Sequence, residues 1–190
     1  MISFEDILFL FNSSVKNRYL IRLNLLEAGL LFKTAAKAPG NILEIGTKIG
    51  GSSVLLAAAA GDRKVYSVDI IPHRNRKKGR VLDKITPTNL IEKIDFIVEE
   101  STSVANRWEE KLGLIFIDGD HTPEAVARDI VAWKPHVMKG GYMAFHDIGV
   151  AGTKNGKKLV IQLHKIVNSK MAGWEKIGHV QSLLILQNNE

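Results

Sequence analysis

The chain has 190 residues, and at this length we expect one domain covering residues 1–190. Hydrophobic residues make up 45% and charged residues 24%, a composition that excludes general disorder. There is no cysteine, so a disulfide scaffold, a cysteine-ligated metal centre and a thiol nucleophile are excluded. The formal net charge of +6 favours acidic partners but does not bear on the fold.

The N-terminal part is expected to be helical over residues 1–38. Its apolar cluster at 7–11 is too short to cross a membrane and follows two acidic residues, so we expect a cytoplasmic protein with no membrane partner. After a break of helix-capping composition at 12–14, leucines recur at helical steps over 20–31. Pro39 and Gly40 end this segment. We interpret it as a helical cap that covers the site or forms a homodimer contact.

From residue 41 to 187, short apolar runs alternate with helical stretches. Strands are predicted at 42–46, 65–69, 94–98, 114–118, 142–145, 174–177 and 182–186. Helices are predicted at 51–60, 104–111, 123–133 and 157–167. Successive strand–helix units predict a doubly wound α/β fold, with a mostly parallel sheet and helices on both faces. The last two runs are close enough for a hairpin that adds an antiparallel strand.

The first predicted strand ends in a glycine-rich turn. A dinucleotide-binding turn needs glycine where Lys48 stands, and Glu44 would repel a pyrophosphate. S-adenosylmethionine (SAM) has no phosphate, so Glu44 can attract its positive end while backbone amides near Gly46 meet its carboxylate. Asp69 follows Gly46 by 23 residues and can accept the ribose hydroxyls, since the spacing in dinucleotide folds is about 20. After the third strand, the acids and serine of 99–101 can reach the adenine edge.

Four segments at the ends of predicted strands occur in order: LEIGTKIGGSS, YSVD, FIDGDHTPEAVARDI and GGYMAFHD. Together they resemble the class I SAM-dependent methyltransferases over residues 41–187. The resemblance is closest to the small-molecule O-methyltransferase branch with the macrolide-sugar methyltransferases and cephalosporin hydroxylase-like proteins, and more distantly to catechol O-methyltransferase. It implies a Rossmann-like seven-stranded sheet whose last strand is antiparallel. The sequence departs from the glycine-rich loop of the wider family at Lys48.

The expected cofactor-binding residues combine this resemblance with the strand-end positions. They are Glu44, Gly46, Thr47, Lys48, Gly50, Ser52, Ser53, Asp69, Glu100, Ser101 and Asp118.

A second group of polar residues follows the fourth and fifth strands. Because neighbouring strand ends lie close together, Asp118, His146 and Asp147 are expected to converge and to hold a divalent cation such as Mg²⁺ or Mn²⁺. Relatives usually have an acid where His146 stands, which leaves Fe²⁺ or a metal-free site open. His121 is the expected general base beside Asp118, because a histidine titrates near neutral pH. The alternative roles are a helix cap for Asp118 and a surface position for His121.

The predicted reaction is methyl transfer from SAM to a hydroxyl oxygen of a small molecule. One alternative is an RNA methyltransferase, favoured by the basic run of residues 74–80, which otherwise is a solvated face or an anion-binding rim. No NPPY-type tetrapeptide follows the fourth strand, so we do not expect a nucleic-acid partner. The other alternative is a SAM- or nucleotide-binding protein without catalysis. Four further histidines have no expected functional role: His73, His136, His164 and His179.

Overall fold

The computed structural model describes residues 2–11, 20–148 and 154–190, so the predicted break at 12–14 lies outside the described residues. The strands are β1 Ile42–Ile45, β2 Val65–Asp69, β3 Ile94–Val98, β4 Leu112–Ile117, β5 Val137–Phe145, β6 Glu175–Val180 and β7 Leu183–Gln187. The α-helices are α1 Leu25–Lys37, α2 Gly51–Ala59, α3 Lys77–Ile85, α4 Thr88–Ile91, α5 Ser101–Ala105, α6 Pro123–Trp133 and α7 Lys154–Lys170. Short 3-10 helices cover Glu5–Phe11, His73–Asn75 and Lys134–His136.

The strands form one sheet in the order β3-β2-β1-β4-β5-β7-β6. The first five strands pair in parallel, and β7 runs antiparallel to both β5 and β6. The predicted doubly wound sheet with a closing antiparallel hairpin is therefore confirmed. Strand order reverses between β1 and β4, and ligands of such sheets bind at the carboxyl ends of the strands beside that reversal.

Burial explains why the central strands carry continuous apolar runs. Every residue of β1 and β4 is buried, as expected for parallel strands covered by helices on both faces. One core lies on the side of α1 and α2 and includes Phe116 and Leu55. The other lies on the side of α6 and includes Trp133 and Phe145. The cavity described below opens at the strand ends between these two layers.

Several predicted boundaries move in the structure. Helix α1 begins at Leu25 rather than near residue 20, because Asn24 and Glu27 form a reciprocal capping box. The predicted helix 104–111 is wrong in its bounds, since α5 covers Ser101–Ala105 only. Strand β5 already begins at Val137, so the glycine pair at 140–141 lies within the strand rather than before it.

The segment between β2 and β3 is ordered around a buried histidine. His73 stacks on Phe96 at 3.9 Å between ring centroids, and its Nε2 lies 3.0 Å from Asp83 Oδ1. This side-chain contact joins the 3-10 helix to α3, so His73 has a structural partner that the sequence did not reveal. None of the helices in the described part of the chain has the length and apolarity needed to span a membrane.

Candidate active site

A cavity of about 850 Å³ lies at the carboxyl ends of the parallel strands. The loops after β1, β2, β3, β4 and β5 all contribute to its wall, together with one face of α6 and Arg22 from the N-terminal segment. This is the position at which a doubly wound sheet binds its ligand. Of the expected site residues, the wall contains Gly46, Lys48, Asp69, Glu100, Ser101, Asp118, His121, His146 and Asp147.

The turn after β1 brings the backbone to the cavity. Gly46 has a φ of +101°, and a Cβ there would overlap the carbonyl oxygen of Asp118. Position 46 therefore requires glycine, both for its backbone conformation and for this close contact. Lys48 also lies in the left-handed region, with a φ of 49°, so its backbone N–H turns towards β2 and donates to Asp69 Oδ2 at 2.8 Å. The backbone of the turn therefore reaches the cavity wall, to which Gly46 and Lys48 both belong.

Glu44 does not reach the cavity, contrary to the expectation that it attracts SAM directly. Its side chain is fully buried beneath the turn, where Oε2 accepts hydrogen bonds from Ser53 Oγ and from Ser67 Oγ at 2.6 Å. Its other oxygen has no hydrogen-bond partner among the residues that the structure describes. Burial raises the pKa of Glu44 to about 7, because a desolvated carboxylate is costly. Glu44 supports the turn from below.

The start of α2 is also closed to the cavity. Ser52 and Ser53 are buried, and Gly50 forms the left-handed cap of the helix. A Cβ on Gly51 would overlap the carbonyl oxygen of Leu20, because the N-terminal segment packs directly on this helix end. Thr47 is buried and pairs with Ser67 at 2.7 Å between hydroxyl oxygens. These residues do not line the cavity, and their expected contacts with SAM stay a prediction.

Asp69 closes β2 and faces the cavity, as predicted. Its two oxygens accept backbone hydrogen bonds from Lys48 and from Ile71, at 2.8 and 2.9 Å. Arg76 Nη1 lies 4.0 Å from the same carboxylate and donates to the Lys48 carbonyl at 2.7 Å. These contacts fix the carboxylate while leaving acceptor lone pairs for a ligand hydroxyl.

The basic run is an ordered part of the protein. Arg74 Nε donates to Asp83 Oδ2 at 2.6 Å, and Arg80 Nη1 donates to the Arg74 carbonyl at 2.7 Å. Arg76, which contacts the glycine turn, is the residue of the run that lines the cavity. The run therefore braces the loop beside Asp69.

The side chains after β3 already form hydrogen bonds within the protein. Glu100 caps α5 by accepting from Ser103 N at 2.9 Å, and Glu99 is bridged by Arg107 at 2.5 Å. Ser101 Oγ accepts from the indole Nε1 of Trp133 at 2.8 Å. The expectation that these side chains contact adenine is weakened, because their hydrogen-bonding groups already have protein partners.

Asp129 of α6 is a cavity residue that the sequence analysis missed. It is 7% exposed and lines the cavity opposite Ser101, whose hydroxyl bonds to it. Burial raises the pKa of Asp129 to about 6. The sequence does contain a signal for this residue, because Asp129 lies on the apolar face of the predicted helix 123–133. Burying a charged group there is unfavourable unless the charge is compensated.

At the opposite end of the cavity, the residues after β4 and β5 meet as predicted. His121 Nε2 lies 3.0 Å from Asp147 Oδ2, and their side chains are 38% and 44% exposed. Asp147 has a φ of 60°, an uncommon conformation that recurs at functional sites. Asp118, His121 and Asp147 each offer a ligand atom, all within 4.8 Å of one another. These three residues form the reactive cluster.

His146 lies behind this cluster rather than in it. Its Nδ1 is 3.0 Å from Asp118 Oδ1, and its Nε2 is 3.2 Å from Ser182 Oγ and 3.6 Å from Glu27 Oε2. Burial lowers the pKa of His146, but the hydrogen bond to Asp118 and the surrounding carboxylates raise it to about 9. The prediction of His146 as a metal ligand is therefore not supported, because both ring nitrogens already have protein partners.

A family model described as a methyltransferase domain matches residues 43–148, which is more than half of the chain. An uncharacterized protein of Acanthamoeba polyphaga mimivirus is 28% identical over 122 residues, covering 62% of this chain and 55% of that protein. The chain thus aligns with about half the length of this curated relative.

Solved structures share the fold at low sequence identity. The Podospora anserina methyltransferase PaMTH1, bound to S-adenosylhomocysteine (SAH), has a TM-score of 0.70 at 13% identity, covering 90% of this chain and 81% of that one. The O-methyltransferase TomG from Streptomyces achromogenes, in complex with SAM, has a TM-score of 0.64 at 16% identity, covering 87% and 81%. A Staphylococcus aureus protein with a proposed caffeoyl-CoA O-methyltransferase activity has a TM-score of 0.68 at 17% identity, covering 87% and 84%.

Proposed function

The chain belongs to the methyltransferase-domain family, and we propose that it is a SAM-dependent enzyme that methylates a hydroxyl oxygen of a small molecule. One observation carries the proposal. A single cavity is lined both by Asp69, at the end of β2, and by a histidine–carboxylate pair, His121 and Asp147. The O-methyltransferase TomG, which shares the fold, is a SAM complex with the same type of activity.

The cofactor would lie along the strand ends, where Asp69 would accept hydrogen bonds from the ribose hydroxyls. Ile70 and Asp129, which also line the cavity, would contact the adenine. The methionine part would lie towards the glycine turn, beside Asp118, another acid of the cavity wall. Asp118 therefore takes the role that the sequence suggested for Glu44, and it pairs with the ammonium group.

Methyl transfer needs a proton acceptor close to the acceptor hydroxyl. When Nε2–H of His121 donates to Asp147, the lone pair of Nδ1 is free to take the hydroxyl proton. The oxygen then displaces the thioether sulfur from the methyl carbon, which leaves SAH and an imidazolium stabilised by Asp147. Asp147 orients the ring, as a carboxylate does in other histidine-assisted reactions.

The reactive cluster also fits a divalent cation in its donor set. One nitrogen and two carboxylate oxygens, from His121, Asp118 and Asp147, suit Mn²⁺ or Mg²⁺. A bound cation would polarise the acceptor hydroxyl and lower its pKa. In this metal-assisted mechanism His121 is a ligand rather than the base. EDTA distinguishes the metal-assisted mechanism from the metal-free one, because it abolishes methyl transfer only if the cation is required.

Calorimetry tests the cofactor assignment. We expect SAM and SAH to bind and NAD not to bind, because Lys48 and the buried α2 start leave no cradle for a pyrophosphate. Asp69→Asn should weaken the binding of SAH by about tenfold or more, since it removes a charged hydrogen-bond acceptor. Asp95→Asn on the neighbouring strand is a matched control, as Asp95 is exposed and pairs with Lys64. Binding of NAD without SAM would contradict the proposal.

A panel of acceptors tests the reaction. Formation of SAH is measured with phenols, sugars, amines and a structured RNA at equal concentration. We expect turnover with a hydroxyl acceptor only. Turnover with RNA alone would instead favour the nucleic-acid alternative, and SAM binding without turnover on any acceptor class would favour a non-catalytic protein.

A further inference from the structure

Glu27 of α1 is a buried side chain that reaches the reactive cluster indirectly, through His146. Its carboxylate is 4% exposed and both oxygens are bonded. Oε1 accepts from the backbone N and the hydroxyl of Ser182, at 2.9 and 2.6 Å. Oε2 accepts from Asn24 N at 3.0 Å and lies 3.6 Å from His146 Nε2. The two oxygens therefore serve different parts of the fold.

A continuous chain of polar contacts leads from this carboxylate into the cavity. Ser182 Oγ lies 3.2 Å from His146 Nε2, and His146 Nδ1 lies 3.0 Å from Asp118 Oδ1. The imidazole is 9% exposed and is held at both nitrogens, so it cannot turn without breaking a buried hydrogen bond. The orientation of Asp118 is thereby linked to α1 and to the turn between β6 and β7.

We propose that Glu27 is a positioning residue that fixes the Asp118 carboxylate through Ser182 and His146. The inference rests on the proposed function, because it takes Asp118 as the partner of the ammonium group of the cofactor. It assigns to the N-terminal helix a part in forming the cofactor site. A displaced helix would release Ser182 and His146, and with them the carboxylate that contacts SAM.

A purely local role for Glu27 would be the capping box of α1. Asn24 Oδ1 accepts from the backbone N–H groups of Leu26 and Glu27, both at 3.0 Å, and Glu27 Oε2 completes the box. Capping uses only that one oxygen and does not require burial. The second oxygen, bonded twice to Ser182 across 155 positions of sequence, has no function in the cap.

The two roles can be separated by a pair of variants. Glu27→Gln keeps the size of the side chain but replaces one acceptor oxygen with an amide NH₂ group. That group then faces a hydrogen-bond donor, either at Asn24 or at Ser182. Asn24→Ala weakens the cap and leaves Glu27 in contact with Ser182. Both variants are expected to lower the melting temperature. Glu27→Gln should weaken SAH about fivefold or more by calorimetry, whereas Asn24→Ala should leave the affinity within about twofold.

A double-mutant cycle with Asp118→Asn tests the coupling itself. In the Asp118→Asn background, Glu27→Gln should change the SAH affinity less than about twofold, because the carboxylate that it positions is gone. Equal effects of Glu27→Gln in both backgrounds, or equal affinities of Glu27→Gln and Asn24→Ala, would overturn the inference. Failure of the wild type to bind SAM and SAH would instead refute the proposed function.

A structural measurement decides the positioning role without any ligand. Crystal structures of Glu27→Gln and Asn24→Ala should differ in the contact between Asp118 Oδ1 and His146 Nδ1. We expect the contact to be lost or lengthened in Glu27→Gln and retained in Asn24→Ala. An unmoved Asp118 carboxylate in Glu27→Gln would show that Glu27 is a capping residue only.

Discussion

The buried Glu44 makes the stability of the domain depend on pH in a defined direction. Its pKa rises from the ordinary 4.5 to about 7 on folding, mainly because burial disfavours the charged form. The folded state then holds this proton more tightly than the unfolded state between about pH 4.5 and pH 7. The free energy of unfolding must therefore fall as pH rises through this window. One pKa unit corresponds to about 1.4 kcal/mol, so the loss between pH 5 and pH 8 is about 2–3 kcal/mol.

Glu44→Gln isolates this contribution, because the amide resembles the neutral acid and can accept from the same two serines. Urea unfolding at pH 5 should give similar stabilities for the variant and the wild type. At pH 8 the variant should be the more stable by about 2–3 kcal/mol. Other carboxylates titrate equally in both proteins and cancel in the difference. A difference between the two proteins that stays constant from pH 5 to pH 8 would refute the reasoning.

Further predictions concern the cavity. Gly46→Ala should weaken SAH by about tenfold or more, since its Cβ would overlap the Asp118 carbonyl; Gly61→Ala, with positive φ but open space, is the calorimetric control. His121→Ala should lower turnover on the identified acceptor by about 10²–10⁴ while sparing SAH affinity, and full activity from pH 6 to pH 9 would remove His121 as base. Asp129→Asn should reduce the preference for SAH over S-inosylhomocysteine, which carries oxygen in place of the adenine amine; an unchanged preference would remove Asp129 from the adenine site.

The alternation of short apolar runs with helical stretches was enough to predict the sheet. Strand β4 is buried along its whole length, and a strand covered by helices on both faces needs a nearly continuous apolar run. The position of the cavity follows from the same topology, because parallel strand ends meet at one edge of the sheet. Boundaries were less predictable. The start of α1 depends on the capping box of Asn24 and Glu27, a local pattern that is weaker than the leucine periodicity preceding it.

Side-chain direction within the site could not be predicted from spacing. Glu44 and Asp118 both lie near the glycine turn, yet one is buried beneath it and the other faces the cavity. His121 and His146 both follow strands that end at the cavity. The partners of His146 come from α1 and from the β6–β7 turn, 119 and 36 residues away in sequence. Contacts at such separations leave no periodic signal in the chain.

The charge of the cavity is opposite to that of the whole chain. The chain carries a formal net charge of +6. The cavity wall instead contains seven acids, Asp69, Glu99, Glu100, Asp118, Asp120, Asp129 and Asp147. Against these stand four cationic side chains, Arg22, Lys48, Arg76 and Arg128, and His146, which is also cationic at neutral pH because its pKa is raised to about 9. A sulfonium and an ammonium are attracted into such a site, whereas the phosphates of a nucleic acid are repelled from it. The excess positive charge lies outside the cavity, on surfaces that a small cationic cofactor does not touch. The net charge of the chain is therefore a poor guide to its ligand. The negative charge of the cavity at the strand ends favours SAM.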